Sequence, residues 1–123
     1  MESFEDLEVW KASMRLCVEV YGQFKDCRDF GFRDQICRSS LSIPSNIAEG
    51  YERNSDKEFI RFLNIALGSG AELRTQLYLA LQMQRADPQV LGRLIQNSKT
   101  LSRQITQLIV YRKSKLARRG IRT

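Results

Sequence analysis

Glu49 and Glu72 are the carboxylates of this chain that could be paired for chemistry, and the residues around them decide what they can do. Glu49 nearly closes the string Ser39-Ser40-Leu41-Ser42-Ile43-Pro44-Ser45-Asn46-Ile47-Ala48-Glu49-Gly50. Ser42, Ser45, Asn46 and Glu49 fall three and four residues apart, so on a helix they share one polar face. Glu72 closes a second string of small residues, Ala66-Leu67-Gly68-Ser69-Gly70-Ala71-Glu72. Two helices carrying these strings can approach closely. The pair then forms either a polar binding site or a hydrogen-bonded network that sets helix register. The structural reading is favoured, because buried polar groups need partners and these strings could supply each other.

A catalytic reading lacks companions. The chain has no histidine, which removes Ser-His-Asp and Cys-His catalysis, the usual zinc sites and the Glu-x-x-His pairs of di-metal bundles. Gly68-Ser69-Gly70 lies in helical pattern and lacks the Lys-Ser/Thr of a phosphate-binding loop. No enzyme activity, metal or cofactor is expected. The three cysteines, Cys17, Cys27 and Cys37, form no C-x-x-C pair, and their odd number argues against a disulfide framework. They read as small buried hydrophobes in a reducing compartment.

The third chemistry is electrostatic. Residues 1–87 carry 11 basic and 14 acidic residues, a net of −3. Residues 88–123 carry Arg93, Lys99, Arg103, Arg112, Lys113, Lys115, Arg118, Arg119 and Arg122 with no acid, a net of +9. Cations near a helix C-terminus complement its dipole, which accounts for Arg112, Lys113 and Lys115 but not for a run that continues. A polyanion-binding footprint accounts for all nine, and a solvated tail that aids solubility is the blander reading. Engaging about six phosphates would give a log–log salt slope near −5 on duplex.

Four helical segments must position these groups. The first spans about Glu5 to Lys25, with Leu7, Trp10, Met14, Cys17, Val18 and Tyr21 at helical steps on its core side. The second runs from about Phe32 to Arg53 with Ile36, Ile43 and Ile47 inward, and Pro44 should kink or weaken it. Ser55-Asp56-Lys57-Glu58 is a capping box that opens the third, which continues to about Arg85. Its core stripe is Phe59, Phe62, Leu63, Ala66, Gly70, Leu73 and Leu77. Asp87-Pro88 opens the fourth, which runs to about Lys115 with Leu91, Leu94, Ile95, Ser98, Leu101, Ile105, Leu108 and Ile109 inward. Short connections make neighbours antiparallel, so the fold is an all-α, up-down-up-down four-helix bundle over residues 1–115, with 116–123 a basic, disordered tail.

Val9, Leu16 and Val20 cluster away from Trp10 and Met14, and Ile60, Leu67, Ala71 and Tyr78 are offset from Phe59 and Leu63. Such second apolar stripes predict a homo-oligomer interface at Val9, Leu16, Val20, Ile60, Leu67 and Tyr78. No segment approaches the roughly 18 apolar residues of a membrane span. The acidic start, Met1-Glu2-Ser3-Phe4-Glu5-Asp6, lacks a signal pattern, so a cytoplasmic protein is expected.

Phe4-Glu5-Asp6-Leu7-Glu8-Val9-Trp10, Gln35-Ile36-Cys37-Arg38-Ser39-Ser40 and Ser42-Ile43-Pro44-Ser45-Asn46-Ile47-Ala48-Glu49-Gly50 resemble the 23S rRNA intervening-sequence protein family. Glu58-Phe59-Ile60-Arg61-Phe62-Leu63-Asn64-Ile65-Ala66, Gly68-Ser69 and Glu72-Leu73 extend the resemblance, which covers about Phe4 to Leu108. It implies a four-helix bundle that assembles as a homopentamer. It also implies kinship with accessory proteins of diversity-generating retroelements, which bind nucleic acid and a reverse transcriptase. It implies no catalytic residues, and the basic tail lies outside its pattern. The resulting expectation is a non-enzymatic, oligomeric, RNA-associated binding or scaffolding protein working through its fourth helix and tail. The alternative is a protein-interaction module that docks a partner on the apolar or Ser/Asn/Glu faces.

Overall fold

The computed structural model describes residues 3–122, with side chains described as far as Gly120. A 3-10 turn at Phe4–Asp6 precedes four helices: α1 Glu8–Phe24, α2 Phe30–Glu52, α3 Asp56–Gln82 and α4 Pro88–Arg122. Each of the last three starts on a side-chain cap. Asp29 accepts from the Phe32 amide at 3.3 Å, Ser55 from Glu58 at 3.3 Å and Asp87 from Gln89 at 2.9 Å. The return arm expected at Ser55 is not made, because the Glu58 carboxylate accepts both nitrogens of Arg61 at 3.1 and 3.2 Å. Asn54 (φ 56) and Gln84 (φ 54) take the left-handed conformation after α2 and α3. Asparagine adopts this region more readily than most residues.

The helices pack as a ring, α1 on α2, α2 on α3, α3 on α4 and α4 on α1, with α1/α3 and α2/α4 on the diagonals. This is the up-down-up-down bundle expected from the short connections. Ile36, Ile43 and Ile47 of α2 fill the core. Phe59, Leu63, Ala66, Leu73 and Leu77 of α3 meet them there, with Leu91, Leu94, Leu101 and Ile105 of α4. α2 is continuous through the buried Pro44. At Gly50 a Cβ would sit 2.4 Å from the Phe62 Cβ, so only glycine lets the ends of α2 and α3 close there.

Two expectations need correction. On α1 the core face is Val9, Ser13, Leu16, Cys17, Val20 and Phe24. Met14, Val18 (66% exposed) and Tyr21 point to solvent, while Leu7 and Trp10 are half-buried. Val9, Leu16 and Val20 are therefore interior residues and not an oligomer surface. Ser13 lies in the middle of their stripe and breaks its apolar pattern, but its hydroxyl is satisfied by the Trp10 carbonyl at 2.8 Å. Secondly, α4 does not stop at Lys115. It continues as helix to Arg122, through the described part of the segment expected to be a disordered tail.

Candidate nucleic-acid interface

The inward stripe of α4 is Leu91, Leu94, Ser98, Leu101, Ile105 and Ile109. The same helical step places Arg112, Leu116 and Arg119 next in line. At this end of the bundle α3 begins, and its first residue, Asp56, is buried. The Asp56 side chain is 4% exposed and that of Arg112 19%. Arg112 donates to Asp56 Oδ1 at 2.7 Å, and an Arg119 nitrogen lies 2.8 Å from Oδ2. The Arg112 guanidinium also stacks 4.9 Å over the Phe59 ring, which meets Tyr51 edge-on at 5.6 Å. The hydrogen bond from Arg112, reinforced by Lys115 and Arg119, holds the Asp56 carboxyl below the usual carboxylate range against the opposing effect of burial. As the first residue of α3, the carboxylate also complements that helix's dipole.

Around this pair lies an open cavity of about 870 Å³. The end of α2 and the turn after it line one wall with Tyr51, Glu52, Asn54 and Ser55, and α4 lines the other with Lys115 and Arg119. Nothing in the local sequence pairs Asp56 with a residue 56 positions later. The signal that could have found it is the registry of Arg112 and Arg119 with the apolar stripe, where a cation needs a buried anion.

The nine cations expected to form one footprint divide into three groups. Arg112 and Arg119 are engaged by Asp56, and Arg93 is ion-paired with Glu19 of α1. Lys99, Arg103, Lys113, Lys115 and Arg118 have no acidic partner among the described residues. Lys99 and Lys115 are half-buried, and the other three are exposed. Arg103 donates to Thr100 at 3.3 Å, and the Lys115 ammonium lies 5.9 Å from the Tyr111 ring. The Arg122 side chain lies outside the described residues. Arg112, Lys115 and Arg119 are brought together, whereas Arg93 lies ~39 Å along the axis from Arg119.

The Ser/Asn/Glu motif also divides. Ser42 and Ser69 hydrogen-bond across α2 and α3 at 2.8 Å, and Asn46 donates to the Ser42 carbonyl at 2.8 Å and hydroxyl at 3.0 Å. Ser45 is exposed, Glu49 pairs with Arg53 at 3.2 Å, and Glu72 is exposed without an ion-pair partner among the described residues. A second link was missed: buried Ser39 and buried Gln76 hydrogen-bond across the same helices at 2.5 Å. These bonds tie α2 to α3 and satisfy the buried groups internally. The cysteines are free. Burial and the neighbouring Cys17 push the Cys37 thiol up. Among the described residues no Cys, Asp and Glu cluster could hold a metal ion, and no helix is long and apolar enough to cross a membrane.

Of the remaining expected interface residues, Ile60 and Leu67 are half-buried against the core and Tyr78 is exposed. The large apolar residues α1 leaves in solvent are Met14, Val18 and Tyr21, and Tyr21 lines a cavity with Leu41 of α2.

Fold and site together define an antiparallel four-helix bundle whose last helix overhangs one end and is strongly basic. The sequence pattern of the 23S rRNA-intervening sequence proteins matches residues 5–107, and the chain belongs to that family. It is also similar to the crystal structure of a protein of unknown function from the S23 ribosomal protein family of Bacteroides thetaiotaomicron. The identity is 26% and the TM-score 0.78, over 82% of this chain and 97% of that one. No curated protein matches the chain. The Asp56 clamp thus joins a residue inside the matched region to two arginines outside it.

Proposed function

We propose that this protein binds nucleic acid, RNA in particular, through the phosphate backbone, using the overhanging part of α4. The supporting observation is the group of cations on α4 that form no ion pair among the described residues: Lys99, Arg103, Lys113, Lys115 and Arg118. A solvated tail would be free to spread its charges. Here Asp56 pairs with Arg112 and Arg119, so Lys113, Lys115 and Arg118 between them are carried on a helix tied to the bundle. Rigid presentation lowers the ordering cost of each contact. Self-association on the exposed Met14, Val18 and Tyr21 face of α1 would add avidity by presenting several extensions at once.

With four to five cations free per copy, the log–log salt slope on duplex should lie near −4, shallower than nine independent cations would give. A salt-titrated mobility shift measures it. Substituting Lys113 and Arg118 by glutamine should reduce the slope by roughly two units and weaken every sequence alike. Binding that is unchanged by salt, or retained in full by a chain ending at Tyr111, would overturn the reading.

A further inference from the structure

The cavity at the overhanging end has two chemically different walls. On the α4 wall, Lys115 and Arg119 present cations. On the turn wall lie the half-buried Tyr51 ring, the Glu52 carboxylate and the Asn54 amide. Neither Glu52 nor Asn54 has a side-chain hydrogen bond or ion pair among the described residues. Asp56, at the base, is already taken by Arg112 and Arg119. A simple inorganic anion would use only one wall and would be repelled by Glu52. A ligand that suits both must be anionic at one end, with a flat ring and a hydrogen-bond donor at the other.

Resting on the nucleic-acid reading above, we propose that this cavity takes one unpaired nucleotide of a bound strand, with a preference for bases that carry an exocyclic amine. The phosphate lies against Lys115 and the outer, solvent-exposed edge of the Arg119 guanidinium, whose inner edge stays on Asp56. The base lies against Tyr51, since aromatic rings hold unstacked bases. Its amine donates to Glu52, the pairing by which carboxylates read cytosine N4, and the Asn54 amide meets the remaining base edge. The basic helix contains no aromatic residue after Tyr111, and the fold supplies the ring from the end of α2 instead. A base paired in a duplex cannot enter.

Cytosine and uracil have the same size and differ where Glu52 would read them, so short oligocytidine and oligouridine of equal length are the probes. The full chain should bind oligocytidine about fivefold more tightly, the worth of roughly one hydrogen bond. Glu52→Gln keeps one acceptor oxygen but gives up the charge and adds an amide donor that uracil O4 can accept. It should therefore abolish that preference by weakening oligocytidine binding, although it removes a negative charge. Ordinary charge attraction predicts the opposite, tighter binding of both oligomers. Asn54→Gly keeps the left-handed backbone and removes only the amide, and it too should reduce the preference. Both variants lie at the exposed α2–α3 turn, and their thermal unfolding confirms that they fold.

Equal binding of the two oligomers by the full chain, or equal tightening of both by Glu52→Gln, would overturn the proposal and leave backbone binding standing. Cytidine monophosphate competing as well as the oligomer would overturn it in favour of a free nucleotide. Failure to bind any strand at low salt would overturn the nucleic-acid reading as well.

Discussion

Between Pro88 and Ile109, α4 is held by Leu91, Leu94, Leu101 and Ile105, all buried among side chains of the other helices. Between Val110 and Gly120 the same helical period continues, but Arg112 and Arg119 stand with Leu116 at the inward positions, and the charged partner is one carboxylate. The first half is stabilised by area removed from water and tolerates small shifts. The second depends on a single buried anion, so it is directional and conditional. A helix can therefore leave its bundle without fraying if its stripe changes from apolar to cationic where an acid is waiting.

The comparison can be broken at either end. Leu94→Ala should cost about 2–5 kcal/mol, because it leaves a cavity in the first half, and urea denaturation would read this as a lower midpoint. Gly50→Ala should cost about 1–3 kcal/mol through the clash with Phe62, again as a lower midpoint.

Asp56→Asn should cost about 1–2 kcal/mol, less than for a fully buried pair since Arg119 is largely exposed, and amide exchange should locate the loosening in residues 110–120. Because its folded-state pKa is depressed, Asp56 contributes this stability above the ordinary carboxylate range. The contribution is lost as pH falls through the lower, folded value. Far-UV helicity of the full chain should thus fall in acid more than that of a chain ending at Tyr111. Arg93→Ala, which removes an exposed pair with Glu19, should change stability by about 0–1 kcal/mol. A loss as large as that at Asp56 would show that the two kinds of pair do not differ.

The legible parts of the fold were those with unbroken periodicity. Ile36, Ile43 and Ile47, the Phe59–Leu77 stripe and the Leu91–Ile109 stripe all lie where their spacing put them. α1 misled because its two faces are nearly equally apolar and a buried serine, Ser13, sits in the true one. Composition alone could not decide between Trp10, Met14, Tyr21 and Val9, Leu16, Val20. The polar motif was half legible: the Ser42–Ser69 link follows from two facing small-residue strings, but the outward positions of Ser45 and Glu49 depend on how α2 is rotated. The charge asymmetry was plain in the sequence. Its division into engaged and free cations was not, because Asp56 is distant in the chain and meets α4 only once the bundle has closed.

Arg112, Lys113, Lys115, Arg118 and Arg119 give the overhang five trypsin sites within eight residues. A protease needs an extended backbone, so each bond stays uncut for as long as the helix remains wound. The Asp56 clamp therefore acts as a timer on the integrity of the extension. Whatever holds that end of α4 in place, the carboxylate alone or a bound strand as well, lengthens the survival of the segment. Loss of the clamp would open those bonds to cleavage sooner.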